Sequence, residues 1–555
     1  MNFFSEGSTE GSEGGRVMLR MEIHEWFKPL DWIVLFGYLG LTTLVGHIMR
    51  GKQASMSDFF AGGRSLPWLA VSGSIIATEI SGVTFIGVPG GVMAAQGDFT
   101  YLIWGLGSII GRVIVGKVFT KVFYEEGIYS PYDYMGRRIK PGLKTLATVF
   151  FTIGSILAQS VRVLVAALPL MIVTGLSFEV CIFIIGVFAI GWTLMGGMRT
   201  VIWTDVMQFF LFTIGGLLTV FWIAGHLEGG IGQIFQEAGD AGKTRWLNFD
   251  IGLGQAFQFT FWVAIIAVPF QNVGAFGVDQ LNAQRMFCCR NAKEASKAII
   301  WSSVGQGITY LMLVVGAALF VWYANNPPDG IVAEALEWQE DGTPIRAKQA
   351  NVFPTWIVTQ LPPGVSGLIL GGVFAAAISS LDSILAALSQ TTISVLYHPE
   401  RHTGEQDQKK LVRHSRMWVI IWGLFLTGFT LLMRWMKDEA QIPIIPLAFG
   451  MTAYTMGPLL GMFLCALTGK GSLRGLVIGS AVSFILVLFL RTDIWVLLHF
   501  VGMPYEWLGV LPTYEVAGRG EDARLSTVIG FHWAWPVTTI VTFVCGYFWP
   551  RRKRG

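Results

Sequence analysis

The chain has 555 residues, of which 53% are hydrophobic and 14% are charged, and its formal net charge is +3. Soluble domains carry about 25% charged residues, so the composition excludes an ordinary soluble protein. The small net charge says nothing about nucleic acid, and no nucleic-acid partner is expected. The five cysteines show no metal-ligand spacing and predict neither a disulfide framework nor a zinc site. Apolar runs of about 18 or more residues recur along the chain and predict an all-α polytopic membrane protein.

Thirteen membrane spans are predicted, numbered 1 to 13 in chain order: 31–49, 68–92, 99–123, 143–173, 178–197, 200–225, 255–278, 296–325, 363–397, 411–435, 442–468, 471–490 and 531–549. Lys and Arg are concentrated in alternate loops, after spans 1, 3, 5, 7 and 9, and in the tail. Because cytoplasmic loops carry this excess, the N-terminus is expected outside and the C-terminus in the cytoplasm. The polar N-terminal segment has no signal-peptide pattern, so span 1 is expected to be retained.

Two spans contain predicted interruptions. Span 2 holds Gly82 and the run GVPGG at 87–91, and span 7 holds Pro269, Gly274 and Gly277. Interrupted spans in corresponding places of two halves point to a transporter binding site, although Gly and Pro are also common in ordinary membrane helices. Spans 2–6 and 7–11 then form two five-helix units of opposite orientation, because each unit has an odd number of helices.

The expected organisation follows from these units: an external segment 1–30, a peripheral helix and cytoplasmic loop 31–67, a first repeat 68–225, an external loop 226–254, a second repeat 255–468 with an external loop 326–362, and peripheral helices with a basic cytoplasmic tail 469–555.

Span 9 carries polar groups at membrane depth: Ser379, Ser380, Asp382 and Ser383. Helical periodicity places Ser379, Asp382 and Ser383 on one face. An ionisable group there costs about 2.5 to 3.5 kcal/mol on insertion scales unless it is compensated, and hydroxyl and carboxylate oxygens suit a small hard cation. The pattern therefore predicts a sodium site. The alternative is that the serines bond back to the helix carbonyls and Asp382 pairs with a base.

Six stretches together resemble the sodium/solute symporter family, in particular bacterial-type members near the sialic acid and organic anion carriers: SDFFAGGRSLPW (57–68), GSIIATEISGVTFIG (73–87), GGMRTVIWTDVMQ (196–208), GVDQLNAQRMF (277–287), FAAAISSLDS (374–383) and YTMGPLLGMF (454–463). The resemblance implies a LeuT-like five-plus-five inverted repeat with broken first and sixth core helices. It also implies sodium-driven solute uptake by alternating access, with Na+ as the coupling ion.

The resemblance implies a main sodium site made of backbone carbonyls and two hydroxyls: Ala77, Ile80, Ala376, Ser379 and Ser380. A second sodium is expected in some similar proteins, and here it would involve Asp205, Ser379, Asp382 and Ser383. A proton on one carboxylate, or a salt bridge from Asp382 to Arg112 or Arg199, are the alternatives.

Arg162, in the stretch LAQSVRVLVAALPL (157–170) of span 4, is the main substrate clue. A guanidinium forms bidentate pairs with carboxylates, and the resemblance places the carboxylate of an acidic sugar there. The other expected lining residues are Ser81, Thr84, Phe99, Gln159, Gln271 and Asn272. If Arg162 instead pairs with Glu79, a neutral sugar becomes the better substrate.

The sequence therefore predicts a sodium-coupled symporter for a small organic anion, such as a sialic or other sugar acid or a monocarboxylate. A multi-pass protein of the plasma membrane, the bacterial inner membrane, is expected, with sodium, the solute and the lipid bilayer as partners and no obligate protein partner. No nucleophile–base constellation indicates an enzyme. A membrane sensor is the alternative from another class, and the short stretch after span 13 argues against it because a sensor needs an output domain.

Overall fold

The computed structural model describes residues 25–51, 55–128, 130–397, 404–440, 444–493, 495, 498, 503, 514–517 and 524–550. Most of the predicted external segment and the basic residues 551–554 of the tail lie outside these residues, and the orientation of the two termini stays a prediction.

Between residues 25 and 240, the described part of the chain forms ten helices: α1 (Pro29–Met49), α2 (Met56–Ala61), α3 (Trp68–Glu79), α4 (Val88–Met93), α5 (Trp104–Ile114), α6 (Thr120–Glu125), α7 (Pro131–Arg138), α8 (Pro141–Thr174), α9 (Phe178–Gly225) and α10 (Gly230–Asp240). The rest forms α11 (Phe261–Ile266), α12 (Val268–Val273), α13 (Gln280–Met286), α14 (Ala292–Trp301), α15 (Gln306–Asn325), α16 (Gly330–Leu336), α17 (Val352–Gln360), α18 (Val365–Leu396), α19 (Glu405–Ala440), α20 (Ile444–Thr452), α21 (Met456–Thr468), α22 (Leu473–Leu490) and α23 (Ala534–Phe548).

Shorter elements join these helices. There are 3-10 turns at Gly62–Arg64, Thr100–Ile103, Gln255–Phe257, Ser302–Gly305, Arg346–Asn351 and Phe531–Trp533, and π-helical turns at Val83–Gly87, Val115–Phe119 and Gly274–Val278. An antiparallel pair of strands, β1 (Tyr514–Ala517) and β2 (Arg524–Thr527), aligns Tyr514 with Thr527.

The predicted spans correspond to helices in the described residues. Eleven helical segments are long and apolar enough to cross a membrane, and span 2 makes a twelfth as two helices that meet at 52°. The predicted break in span 2 is confirmed. Span 13 corresponds to the 3-10 turn Phe531–Trp533 followed directly by α23 (Ala534–Phe548), and it is not among these twelve segments.

Span 7 is interrupted later than its Pro and Gly residues indicate. Phe261–Val278 counts as one apolar crossing. Pro269 lies in the first turn of α12, where a missing N–H costs little. The chain leaves helical geometry at Asp279, which is extended and caps the short helix α13 by accepting a bond from the Leu281 amide. After the interruption, α13 therefore lies in the protein interior.

Helix α18 lies at the centre of the fold. In its most apolar 18-residue window 94% of residues are buried, against 22% for α1, so α18 is enclosed by protein and α1 is peripheral. Asp31 of α1 nevertheless holds the start of α18, because its Oδ1 accepts bonds from the amides of Gly364 at 2.6 Å and Gly367 at 2.9 Å. These amides would otherwise have no partner in the first turn of the helix.

Spans 5 and 6 are joined by a sharp turn at Gly197 within α9. Gly197 has φ 57° and ψ −159°, which side chains other than glycine's rarely adopt. A Cβ at this position would lie 2.4 Å from the Phe59 carbonyl oxygen. The turn therefore requires glycine both for its backbone conformation and for the close approach of residue 59.

Candidate ion and solute site

The break in span 2 frees two carbonyl groups from helical bonding. The amide of Ser81 donates to the Glu79 carbonyl at 3.0 Å, and the amide of Thr84 donates to the Ser81 carbonyl at 2.9 Å. In a continuous helix these two amides would bond to the carbonyls of Ala77 and Ile80. At the break, the amides that would bond to the Ala77 and Ile80 carbonyls bond to other groups instead. These two carbonyls were predicted as sodium ligands.

Helix α18 faces this break and packs against α3. Ser379 and Ser380 are buried on it, at 2% and 5% exposure, and Ala376 lies one turn earlier at 2%. The adjacent Ala375 carbonyl is held by the side-chain amide of Gln208 at 2.9 Å. Oxygen atoms from a helix break and from a packed neighbouring helix are a donor set that suits a hard monovalent cation.

The residues predicted for a second ion lie together, and a buried base lies among them. Arg285 of α13 donates from Nη2 to Asp205 Oδ2 at 3.1 Å and to Ser383 Oγ at 2.7 Å. Its Nε donates to Ser74 Oγ at 2.9 Å, and Ser74 donates to Asp205 at 2.5 Å. The Ser379 hydroxyl donates to the other oxygen of Asp205. Arg285 is fully buried and compensates the Asp205 charge.

Asp382 is paired with neither of the two bases expected for it. Arg112 bonds to Glu79, and no ion pair joins Asp382 to Arg199 among the described residues. Asp382 Oδ1 accepts from Ser383 Oγ at 3.2 Å, whereas Oδ2 is buried without a hydrogen-bond partner in the same part of the chain. The cluster therefore holds two carboxylates and one guanidinium, which leaves one negative charge for a cation or a proton to balance.

Arg162 does not pair with Glu79, which corrects the structural alternative for this residue. Glu79 is occupied by Arg112 and by Gln306, whose Nε2 donates to Glu79 Oε1 at 3.2 Å. Arg162 donates from Nη1 to the Thr78 carbonyl at 2.9 Å, and no described carboxylate lies within 4 Å of its nitrogens. A half-buried guanidinium beside the helix break is thus available to an anion.

Three of the other predicted lining residues surround this region. Ser81 and Thr84 are buried in the break, where Ser81 Oγ accepts from the Val83 amide at 3.3 Å. Gln159 lies three residues before Arg162 on α8, and hence on the same face. Its Oε1 is buried without a hydrogen-bond partner among the described residues. An unsatisfied buried oxygen is costly, so it is a candidate to accept from a solute hydroxyl or amide.

The remaining predicted lining residues are held by other contacts. Asn272 accepts from Ser108 Oγ at 2.8 Å and donates to Gln271 Oε1 at 2.8 Å. The ring of Phe99 packs edge-on against Tyr310 with centroids 6.2 Å apart. The Ser108–Asn272 bond joins span 3 to span 7, and the Phe99–Tyr310 contact joins span 3 to span 8. None of these contacts reaches Arg162. A solute contact for these three residues stays a prediction.

The C-terminal half of span 2 is covered by the two long loops at 226–254 and 326–362. Lys243 donates to the carbonyls of Ala94 at 2.5 Å and Ala95 at 3.2 Å. Burial lowers the pKa of the Lys243 ammonium group, while neighbouring carboxylates act in the opposite direction. A Cβ on Gly90 would lie 2.2 Å from the Gln349 carbonyl oxygen, so the second loop lies directly on α4. The break thus has a packed cover on this side.

Comparison with known proteins places these features in a family. The profile of the Sodium:solute symporter family matches residues 59–479. The chain is 29% identical over 480 residues to the sodium/sialic acid symporter SiaT of Proteus mirabilis, which covers 85% of this chain and 91% of that protein. It is 28% identical over 469 residues to the human sodium-coupled monocarboxylate transporter 1, with 82% and 73% covered.

A solved structure of a Na+-coupled sialic acid symporter in a substrate-bound outward-open state is similar throughout. Its TM-score is 0.72 at 25% identity, and the match covers 94% of this chain and 97% of that chain. The predicted LeuT-like helical fold class is confirmed by this likeness, and the β1–β2 pair is an addition that was not predicted. The family profile spans the helix break, the Asp205–Arg285 cluster and the serines of α18, and the chain belongs to the sodium:solute symporter family.

Proposed function

We propose that this protein is a sodium-coupled secondary active symporter that imports a small organic anion. Family membership supports sodium as the coupling ion. The observation that carries the anion is Arg162, whose guanidinium lies beside the break in span 2 with no described carboxylate within 4 Å. A guanidinium cannot lose its proton at physiological pH, so a carboxylate is its natural ligand in a site of low dielectric.

Sialic and other sugar acids fit this site best, followed by monocarboxylates. A sodium/sialic acid symporter and a sodium-coupled monocarboxylate transporter are both similar to the chain along most of its length. Both solute classes carry a carboxylate, and a sugar acid adds hydroxyl groups that Ser81, Thr84 and the buried oxygen of Gln159 can bond. A neutral sugar is disfavoured because the Arg162–Glu79 pair on which it depended is absent from the described contacts.

We place the coupling sodium between the carbonyls of Ala77, Ile80 and Ala376 and the hydroxyls of Ser379 and Ser380. The redirected amides of Ser81 and Thr84 support this placement, because they leave carbonyl oxygens for an ion. A second cation at Asp382, either sodium or a proton, would balance the extra carboxylate next to the Asp205–Arg285 pair. Sodium binding at the break would order span 2 and so prepare the adjacent solute site.

Transport would then proceed by alternating access. Spans 2, 3, 7 and 8 would rock as one body against spans 4, 5, 9 and 10, and so expose the site first to one side of the membrane and then to the other. The sodium gradient and the membrane potential, about 2.3 kcal/mol per charge per 100 mV, would drive uptake. We expect the protein in the bacterial inner membrane, with its N-terminus outside and its C-terminus in the cytoplasm.

The test is a thermal-unfolding screen of the purified protein in sodium against potassium, crossed with N-acetylneuraminate, short monocarboxylates and neutral sugars. A ligand that binds the folded state raises the melting temperature by mass action. We expect the increase to require sodium and an acid together. Stabilisation by neutral sugars alone would reject the anion, and stabilisation by an acid that is the same in potassium would reject sodium coupling.

A further inference from the structure

One face of α8 carries three polar side chains between two apolar ones. Ser155, Gln159 and Arg162 follow each other at intervals of four and three residues, so helical periodicity places them on one side of the helix. We call these three residues the α8 stripe. On the same face, Phe151 precedes the stripe and packs against an aromatic ring of α7, and Ala166 follows it and is fully buried. The stripe is therefore a polar strip with an apolar boundary at each end.

The two uncharged members of the α8 stripe have oxygen atoms without a hydrogen-bond partner. Ser155 is 4% exposed and Gln159 is 6% exposed, and neither Ser155 Oγ nor Gln159 Oε1 has a partner among the described residues. Ser160 on the opposite face shows the usual arrangement, because its hydroxyl donates to the Ile156 carbonyl at 2.7 Å. A buried oxygen without a partner destabilises the folded protein, and such groups are found chiefly at functional sites.

Close helix packing is the alternative reason for a small residue at position 155. The neighbouring Gly154 lies against Thr455 of span 11 and leaves no room there for a Cβ. Small residues let the helices of a membrane protein approach each other closely. Alanine would serve this purpose equally well and would bury no hydroxyl group. Gln159 has a large side chain, so packing by small residues does not explain its unpartnered oxygen.

The α8 stripe leads away from the break in span 2. Arg162 is at the break, where it donates to the Thr78 carbonyl at 2.9 Å. At about 1.5 Å per residue along the helix axis, Gln159 is about 4.5 Å and Ser155 about 10.5 Å further toward α7. A solute whose carboxylate pairs with Arg162 therefore reaches both oxygens only if the rest of the molecule extends along α8.

We propose that Ser155 and Gln159 form a tail subsite, which selects an extended organic acid with hydroxyl or amide N–H groups far from its carboxylate. This inference rests on the proposed function and narrows its solute class to polyhydroxylated or N-acylated acids. A short monocarboxylate has no donor at that distance and leaves both oxygens unpaired. A site built to bond to a hydroxyl or N–H group discriminates strongly against an analogue that lacks it, because the buried oxygen then stays without a partner.

The experiment follows thermal unfolding of the purified full-length protein in sodium, titrated with N-acetylneuraminate as the extended acid or lactate as the short one. The variants are Ser155→Ala and Gln159→Met, which each remove the unpartnered oxygen and keep a side chain of similar size. Without solute, their melting temperatures should equal or exceed that of the wild type, because a buried oxygen without a partner is lost. The half-saturating concentration of N-acetylneuraminate should rise about 2- to 12-fold, and that of lactate should not change.

Ser160→Ala is the matched control, because Ser160 is a buried serine of the same helix whose hydroxyl has a partner. It should leave both titrations unchanged and should not raise the melting temperature.

Three results overturn the tail subsite and leave an anion symporter standing. The first is a lower melting temperature of solute-free Ser155→Ala and Gln159→Met, or their failure to fold, since the two oxygens would then serve the fold. The second is an unchanged N-acetylneuraminate titration in both variants. The third is wild-type protein that binds lactate as tightly as N-acetylneuraminate. If neither acid stabilises the wild type in sodium, the proposed function is rejected and the subsite with it.

Discussion

Replacing Arg162 by glutamine should separate solute recognition from folding. Arg162 makes one bond, to the Thr78 carbonyl, and has no described carboxylate partner. Its removal therefore breaks no ion pair within 4 Å, and we expect the ligand-free protein to lose about 1 kcal/mol of unfolding free energy at most. The same change at Arg285 would leave the buried carboxylate of Asp205 without its counter-charge, and it should lower the unfolding free energy by about 3 to 5 kcal/mol.

Arg162→Gln should lower the affinity for the solute much more than it lowers the unfolding free energy. A hydrogen bond to a charged group contributes about 1.5 to 3 kcal/mol, so Arg162→Gln should weaken binding of an organic anion by about 10- to 150-fold. A solute at 100 times its dissociation constant stabilises the wild-type protein by about 2.7 kcal/mol. If affinity falls 100-fold, the same concentration stabilises the variant by only about 0.4 kcal/mol.

The assay is therefore the solute-induced rise in melting temperature at one fixed concentration, measured in sodium for the wild type, Arg162→Gln and Arg162→Lys. Lysine keeps the charge and loses the bidentate geometry, so its response should lie between the other two. Sodium alone should stabilise all three proteins equally. A full solute response in Arg162→Gln would refute the role assigned to this arginine, and a lost sodium response would show that the variant disturbs the ion site.

Three further changes test other parts of the structure. Ser380→Ala should weaken sodium binding by about 2- to 12-fold, because one oxygen ligand is lost; it is a cleaner test than Ser379→Ala, since Ser379 also bonds to Asp205, and an unchanged sodium titration would remove Ser380 from the site. Arg285→Gln should lose about 3 to 5 kcal/mol in chemical unfolding, and adding Asp205→Asn should restore part of it; additive losses would argue against a coupled pair. Gly197→Ala should lower the yield of folded protein and its stability by more than about 1 kcal/mol, because its backbone is left-handed and its Cβ would meet the Phe59 carbonyl; a stability equal to the wild type would contradict that strain.

Hydropathy was sufficient to predict the apolar helical segments of spans 1 to 12, and Gly82 correctly marked the break in span 2. They could not predict which polar groups meet, since that depends on how helices pack. Arg285 was counted with the basic loop after span 7, whereas α13 turns inward at Asp279 and buries it. A signal was present, because Arg285 belongs to GVDQLNAQRMF (277–287), one of the six stretches that carry the family resemblance.

The sequence also could not predict which groups bond to the buried charged and polar side chains. A pair of Glu79 with Arg162 was the alternative to an anion at Arg162, yet Arg112 of span 3 bonds to Glu79 instead. Asn272 was expected to face the solute, and Ser108 of span 3 engages it. In both cases span 3 supplies the missing partner, and no periodicity in a single span can reveal contacts between spans.

These contacts of span 3 have a mechanical consequence. Arg112 bonds to Glu79 of span 2 and donates to the Ser302 carbonyl of span 8 at 2.6 Å, while Ser108 bonds to Asn272 of span 7. Hydrogen bonds thus link the helices of spans 2, 3, 7 and 8, and span 3 is the common member. On the proposed transport cycle, an ion bound at the break of span 2 would therefore move spans 3, 7 and 8 together with span 2.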